Sequence, residues 1–186
     1  MKFNAHSNLL GQHAFLSASS YHWLNYDLDK LTDRYLRHQA VQRGTDLHDL
    51  ACSHIRLGVK MPKSKRTLDM YVNDAIGYHM TPEQPLYFSP NCFGTADAIS
   101  LDRNNFLRIH DLKTGESETS FHQLEIYAAL FCLEYHFKPE ELTGIELRIY
   151  QNNEVRIAQP TADCIQKVMD TIVLFDRQIE KLKTEE

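Results

Sequence analysis

The 186-residue sequence lacks any run approaching the roughly 18 to 20 apolar residues of a membrane-spanning helix, so no membrane partner is expected. Its start, Met1 to His6, has no apolar signal-peptide core, which predicts a cytoplasmic protein. It also lacks a C-x-x-C pair. The four cysteines stand at 52, 92, 132 and 164, which excludes a zinc ribbon or a redox dithiol and predicts buried small hydrophobes. No internal repeat, low-complexity tract or Gly/Ser/Pro linker divides the chain, so a single domain over residues 1–186 is expected. No charge of one sign dominates either: 20 basic and 25 acidic residues give a net −5. That balance argues against coating nucleic acid by bulk attraction and leaves room for a local basic patch.

What remains is an ordinary globular composition, 42% hydrophobic and 24% charged. At this length a folded chain buries roughly 70% of its unfolded surface, enough for a real core. Helical spacing covers Leu28 to Leu57, and Thr67 to Met80 forms a second helix. Between them, Gly58 and Pro62 mark a loop. The period then changes. Pro85 to Ser89, Phe93 to Leu101 and Phe106 to Lys113 read as three strands, with Asp102 to Asn105 turning between the last two. Thr119 to Phe137 reads as a buried helix. Gly144 to Tyr150 and Val155 to Ala158 form a further strand pair, and an amphipathic helix from about Thr161 to Lys183 follows. This order predicts an α/β (α+β layered) domain. Its parts are a helical segment at about 17–80, a core at about 84–158 and a last helix at about 161–184.

The anomaly lies in the central hairpin. Alternation puts Leu107, Ile109, Asp111 and Lys113 on one face, and Phe93, Thr95, Asp97 and Ile99 on one face of the preceding strand. If Leu101 pairs with Phe106 or Leu107, Asp97 falls opposite His110 or Asp111, and the second register sets the two carboxylates directly opposite, with Cβ atoms about 5 Å apart. Two carboxylates so placed repel each other and lose hydration. A divalent cation between them removes that cost, and oxygen ligands point to Mg²⁺ or Mn²⁺ rather than zinc. Lys113 then points at the same spot, where it can orient a water or neutralise a phosphoryl oxygen.

Gly94-Thr95-Ala96-Asp97-Ala98-Ile99, followed by Ile109-His110-Asp111-Leu112-Lys113-Thr114-Gly115, resembles the core of RecB-like nucleases of the PD-(D/E)XK superfamily. Three further pieces match in order. Gly44-Thr45-Asp46-Leu47-His48 is similar to the family's upstream histidine motif. Gln123-Leu124-Glu125-Ile126-Tyr127 resembles its Q-x-x-x-Y helix, and Leu16-Ser17-Ala18-Ser19-Ser20 its serine-rich start.

The resemblance implies a restriction-endonuclease-like core, a central mixed sheet flanked by helices. It implies Asp97, Asp111 and Lys113 as catalytic residues, and His48, Asp97, Asp111 and the Leu112 carbonyl as ligands of Mg²⁺ or Mn²⁺. Gln123 and Tyr127 would steady the hairpin or contact DNA, and Ser17 and Ser19 would cap a helix or support binding. The family's glutamate before Asp97 has Glu83 as its nearest counterpart, with its role left open. The cysteine pattern of the members that carry an iron–sulfur cluster is missing, so no cluster is expected. The implied activity is metal-dependent DNA hydrolysis by an exonuclease of recombination and repair, of a stand-alone phage-encoded kind. A recombination or helicase partner would supply any unwinding, since the fused helicase modules are missing. A structure-selective or nicking endonuclease, or a non-catalytic DNA-binding module, are the alternatives, and oligomeric state is left open. Arg56, Lys60, Lys63, Lys65 and Arg66, with no acidic residue between Leu50 and Leu68, form a patch suited to phosphates of linear double- or single-stranded DNA.

Overall fold

Apolar residues at strand spacing in the middle of the chain build one five-stranded mixed sheet in a computed structural model that describes residues 14–185. The strands are β1 (Thr81–Ser89), β2 (Cys92–Leu101), β3 (Phe106–Leu112), β4 (Gly144–Gln151) and β5 (Glu154–Ala158), in that spatial order. The helices are α1 (Leu28–Leu57), α2 (Thr67–Gly77), α3 (His122–Tyr135) and α4 (Ala162–Thr184). β1, β2 and β3 are antiparallel neighbours, β3 and β4 run parallel, and β4 and β5 form a hairpin. The parallel step requires a crossover, which α3 supplies.

The chain divides into two units, residues 1–45 and 46–186. In the first, Ser17 Oγ and Ser19 Oγ lie 2.7 Å apart, and the Ser17 carbonyl accepts the Trp23 indole N–H at 2.9 Å. The serine-rich start therefore braces the 3₁₀ turns of Ala18–Asn25, although Ser17 makes no side-chain cap.

The second unit holds the sheet, with a core on each face. Leu86, Ile99, Leu107, Ile109, Leu147 and Ile149 pack against α3 and against Ile165 of α4. Ala98, Leu112 and Tyr150 pack against Ala51 and Ile55 of α1 and against Tyr71, Val72 and Ala75 of α2. Each fully buried Leu, Ile or Val contributes roughly 1.5–3 kcal/mol.

Local chemistry sets the element ends. α1 stops where Gly58 takes φ +65° and Val59 N–H bonds the His54 carbonyl. α2 stops at Gly77, earlier than the expected Met80, because His79 turns left-handed (φ 52°) and Met80 N–H closes on the Ala75 carbonyl. α4 starts on Thr161, whose hydroxyl accepts Cys164 N–H. Asn152 and Asn153, at φ 52° and 60°, form the two-residue β4–β5 turn.

Two further expectations need correction. α3 begins at His122 and not near Thr119. The carbonyls just before it are taken by side chains of β4, β5 and their turn: Gly115 and Ser117 by Gln151, Glu116 by Asn152 and Thr119 by Arg156. The cysteines are also not uniformly buried: Cys52 and Cys132 are, while Cys92 is half-buried and Cys164 exposed.

Candidate metal centre

The centre forms where two strands lose their regular pairing side by side. β2 and β3 pair Leu101 with Leu107, Ile99 with Ile109 and Ala98 with His110. One more step in that register sets Asp97 opposite Asp111, the second of the two alignments open from the sequence. Asp97 leaves the ladder there, and its Oδ2 accepts the Leu112 N–H at 2.9 Å.

On the other flank of β2, Pro82 pairs with Ala98 and Gln84 with Ala96, so Glu83 falls opposite Asp97. Glu83 takes φ 50°, a left-handed conformation that costs a non-glycine residue of order 1 kcal/mol. The register is the same on both sides of this point, so no residue has been inserted. Alternation nevertheless breaks. Ala96 belongs to the core against α3 and Ala98 to the core against α1 and α2, although a regular strand would give them one face. The single-face expectation for Phe93 to Ile99 therefore fails at Asp97, where the kink lies.

α1 brings His48 to the break. His48 Nδ1 stands 3.5 Å from Asp97 Oδ2. One ligand atom from each of His48, Glu83 and Asp97 lies within 4.8 Å of the others. Glu83, whose role the sequence left open, is thus brought to the centre. Asp111 stands outside that trio, 1% exposed. Its Oδ1 accepts a hydrogen bond from Lys113 Nζ at 3.0 Å. Its Oδ2 is also 3.0 Å from Nζ but outside hydrogen-bonding direction, and it is buried with no donor of its own among the described residues.

Burial pushes the Asp97 carboxyl up to about 6, and the neighbouring Asp111 charge adds to the effect. His48, the Leu112 N–H and Lys113 oppose it. Burial also raises Asp111, against the pull of Lys113. These directions describe acidic groups crowded into a place poor in water.

Lys113 is held from a second side. Its Nζ donates to Gln123 Oε1 at 2.9 Å, and Gln123 Nε2 donates to the Tyr127 hydroxyl at 3.0 Å. Gln123 and Tyr127 stand one turn apart on α3, so one helix face delivers both. Gly94 makes room for that face: a Cβ there would sit 2.9 Å from Tyr127 Cε1. Leu112 contributes its amide to Asp97 and is itself buried.

After Arg56, the basic residues stand on the loop that follows α1. Lys60, Lys63, Lys65 and Arg66 are exposed in the segment between α1 and α2. Asn73 of α2 holds that segment by accepting Met61 N–H at 2.9 Å and donating to the Met61 carbonyl at 3.1 Å. Arg66 pairs with Asp69 at 3.2 Å.

The donors fit a hard divalent cation. Two carboxylates and an imidazole converge, a third carboxylate stands beside them with a buried oxygen no donor satisfies, and Asp97 is costly to ionise without a positive partner. The chain matches no protein-family model and no curated protein. Among the described residues, no helix is long and apolar enough to cross a membrane.

Proposed function

We propose that the chain is a metal-dependent deoxyribonuclease with a RecB-like PD-(D/E)XK core, acting as an exonuclease in DNA recombination or repair. The observation that carries this reading is the meeting of His48, Glu83, Asp97 and the Asp111–Lys113 pair at one kink. Mg²⁺ or Mn²⁺ would be held by His48, Glu83 and Asp97, with Asp111 and the Leu112 carbonyl completing the set that the resemblance implies. Such an ion, when bound, lowers the pKa of a coordinated water and neutralises phosphodiester charge.

The chain's own residues do the rest. Asp111 Oδ1 and Gln123 Oε1 both accept from the Lys113 ammonium and so direct it. With two of its three N–H donors so engaged, Lys113 has one left to offer where negative charge grows on the phosphoryl oxygens during attack. Tyr127 fixes Gln123 in turn. The exposed lysines at 60, 63 and 65 supply sequence-independent phosphate contacts, so binding should weaken steeply with salt.

The test is cleavage of end-labelled linear and closed circular DNA with Mg²⁺, with Mn²⁺ and with EDTA. We expect metal-dependent loss of linear DNA alone, and Lys113→Ala to lower the rate by about 10²–10³-fold. Cutting of closed circles would replace the exonuclease with an endonuclease on the same core. DNA binding without cleavage under either metal would overturn the enzyme reading in favour of a binding module.

A further inference from the structure

A second recess is lined in part by Lys113. It is a cleft of about 300 Å³ formed by the start of α2, the end of β3 and the β4–β5 turn. Three leucines, Leu47, Leu68 and Leu112, are among its lining residues, and Arg66, paired with Asp69, and Lys113 are its two basic ones. Leu112 ties it to the metal centre, because its amide is the one that Asp97 Oδ2 accepts.

The walls are fixed without a ligand. Thr67 N–H and hydroxyl donate to Asn153 Oδ1 at 3.1 and 3.3 Å, and Asn153 N–H donates to Thr67 Oγ1 at 2.8 Å. This reciprocal lock joins α2 to the turn. Lys113 N–H bonds the Tyr150 carbonyl at 2.9 Å, and Gln151 holds the carbonyls of Gly115 and Ser117. A preformed recess of mixed apolar and cationic lining is what a ligand with a flat ring and an anionic group requires.

Size limits the choice. The volume lies at the lower end of the roughly 300–1,000 Å³ of ligand sites, room for one nucleotide and not for a base pair. A strand seated there must therefore be unpaired at that position. We propose that this cleft holds one unpaired nucleotide flanking the phosphodiester at Lys113, so that the substrate class is single-stranded or frayed DNA ends and not intact duplex. The base and sugar lie on the leucines and the phosphate between Arg66 and Lys113. This inference rests on the nuclease reading for the bond that the nucleotide flanks.

The test titrates deoxyadenosine monophosphate into the metal-free protein and follows backbone amide NMR shifts, with inorganic phosphate alone as the control. Saturable shifts at Thr67, Thr114 and Asn153 are expected with the nucleotide. Leu47→Trp, which fills the cleft from a partly exposed position, should weaken binding at least about tenfold. Asn153→Gly, which keeps the left-handed turn while removing the side-chain half of the lock, should do the same. Mn²⁺ affinity should stay as in the wild type for both variants. In the metal-loaded enzyme the ratio of kcat/KM for single-stranded over blunt duplex ends should fall in both.

Shifts that are absent, that map elsewhere, or that inorganic phosphate reproduces in full overturn the nucleotide cleft. Metal-dependent, Lys113-dependent cleavage reads the nuclease proposal independently. If it persists while the cleft variants behave as wild type, the cleft alone is wrong. If nucleotide shifts appear at the cleft while no cleavage occurs, the nuclease reading fails and the cleft stands as a nucleotide site.

Discussion

Two polar clusters lie at neighbouring positions of β3, and they are built to opposite rules. Around His110, between the sheet and α2, each carboxylate meets a guanidinium. Arg148 meets Asp74 at 3.1 Å and Glu146 at 2.9 Å, Arg108 meets Asp102 at 3.2 Å, and Tyr150 donates to Asp74 at 2.7 Å. One residue on, around Asp111, they are not. Glu83, Asp97 and Asp111 face a single ammonium, Lys113, and the His48 imidazole. In the first cluster every carboxylate has a guanidinium partner, although His110 Nε2 and Arg108 Nε are buried without a hydrogen bond among the described residues, whereas the second holds three carboxylates around one ammonium. Sequence neighbours thus divide into a group whose carboxylates pair with guanidiniums and a group that keeps an excess of carboxylates.

The comparison breaks most visibly at Arg148. Arg148→Met leaves Asp74 and Glu146 without their common partner, and we expect a loss of about 3 kcal/mol in stability by denaturant titration. Mn²⁺ affinity should survive the change. If metal binding falls together with stability, the two clusters are one and the division fails. Asp97→Asn should act the other way. Removing a buried charge that faces Asp111 should stabilise the metal-free protein by about 1 kcal/mol while abolishing the extra stability that Mn²⁺ confers on the wild type. Equal melting shifts with Mn²⁺ in wild type and variant would contradict it.

The finest separation is in pH. Asp97 sits at about 6 in the folded protein, above the ordinary 3.9 of the unfolded chain. Its contribution is present below about pH 4 and is lost as pH rises through 6. Burial, with Arg148 and Arg108 nearby, pushes His110 down to about 3, below its ordinary 6.5. Its contribution is present above pH 6.5 and is lost as pH falls toward 3. In the metal-free protein, Asp97→Asn and His110→Gln should therefore change the slope of stability against pH with opposite signs between pH 4 and 6. Like signs would refute the assignment. Mn²⁺ affinity should also weaken as pH drops below about 6, because the ion must displace the Asp97 proton.

Much of this was legible because it depends on period and on local turn chemistry. The bounds of α1, the Asp102–Asn105 turn and the β2–β3 register follow from apolar spacing and from the residues that favour positive φ. Glu83 escaped for a physical reason. Two prolines, Pro82 and Pro85, argue against a strand there, yet β1 lies at the sheet edge, where a missing N–H can be tolerated. Reading the strand back through them would have set Glu83 opposite Asp97. The start of α3 and the Thr67–Asn153 lock were illegible in another way. Each depends on side chains from positions distant in sequence that bond main-chain groups, and no local window contains both partners.

The place of β1 at the rim has a consequence for solubility and for the site together. An open strand edge is a template on which another copy can add a strand and begin a fibril. β1 offers two residues with no N–H and a left-handed kink at Glu83, which together make a poor template. The same kink turns a carboxylate toward Asp97 at the point where no outer strand depends on the ladder. A distortion that would unzip a central strand is cheap at the margin, and there it guards the sheet while shaping the centre.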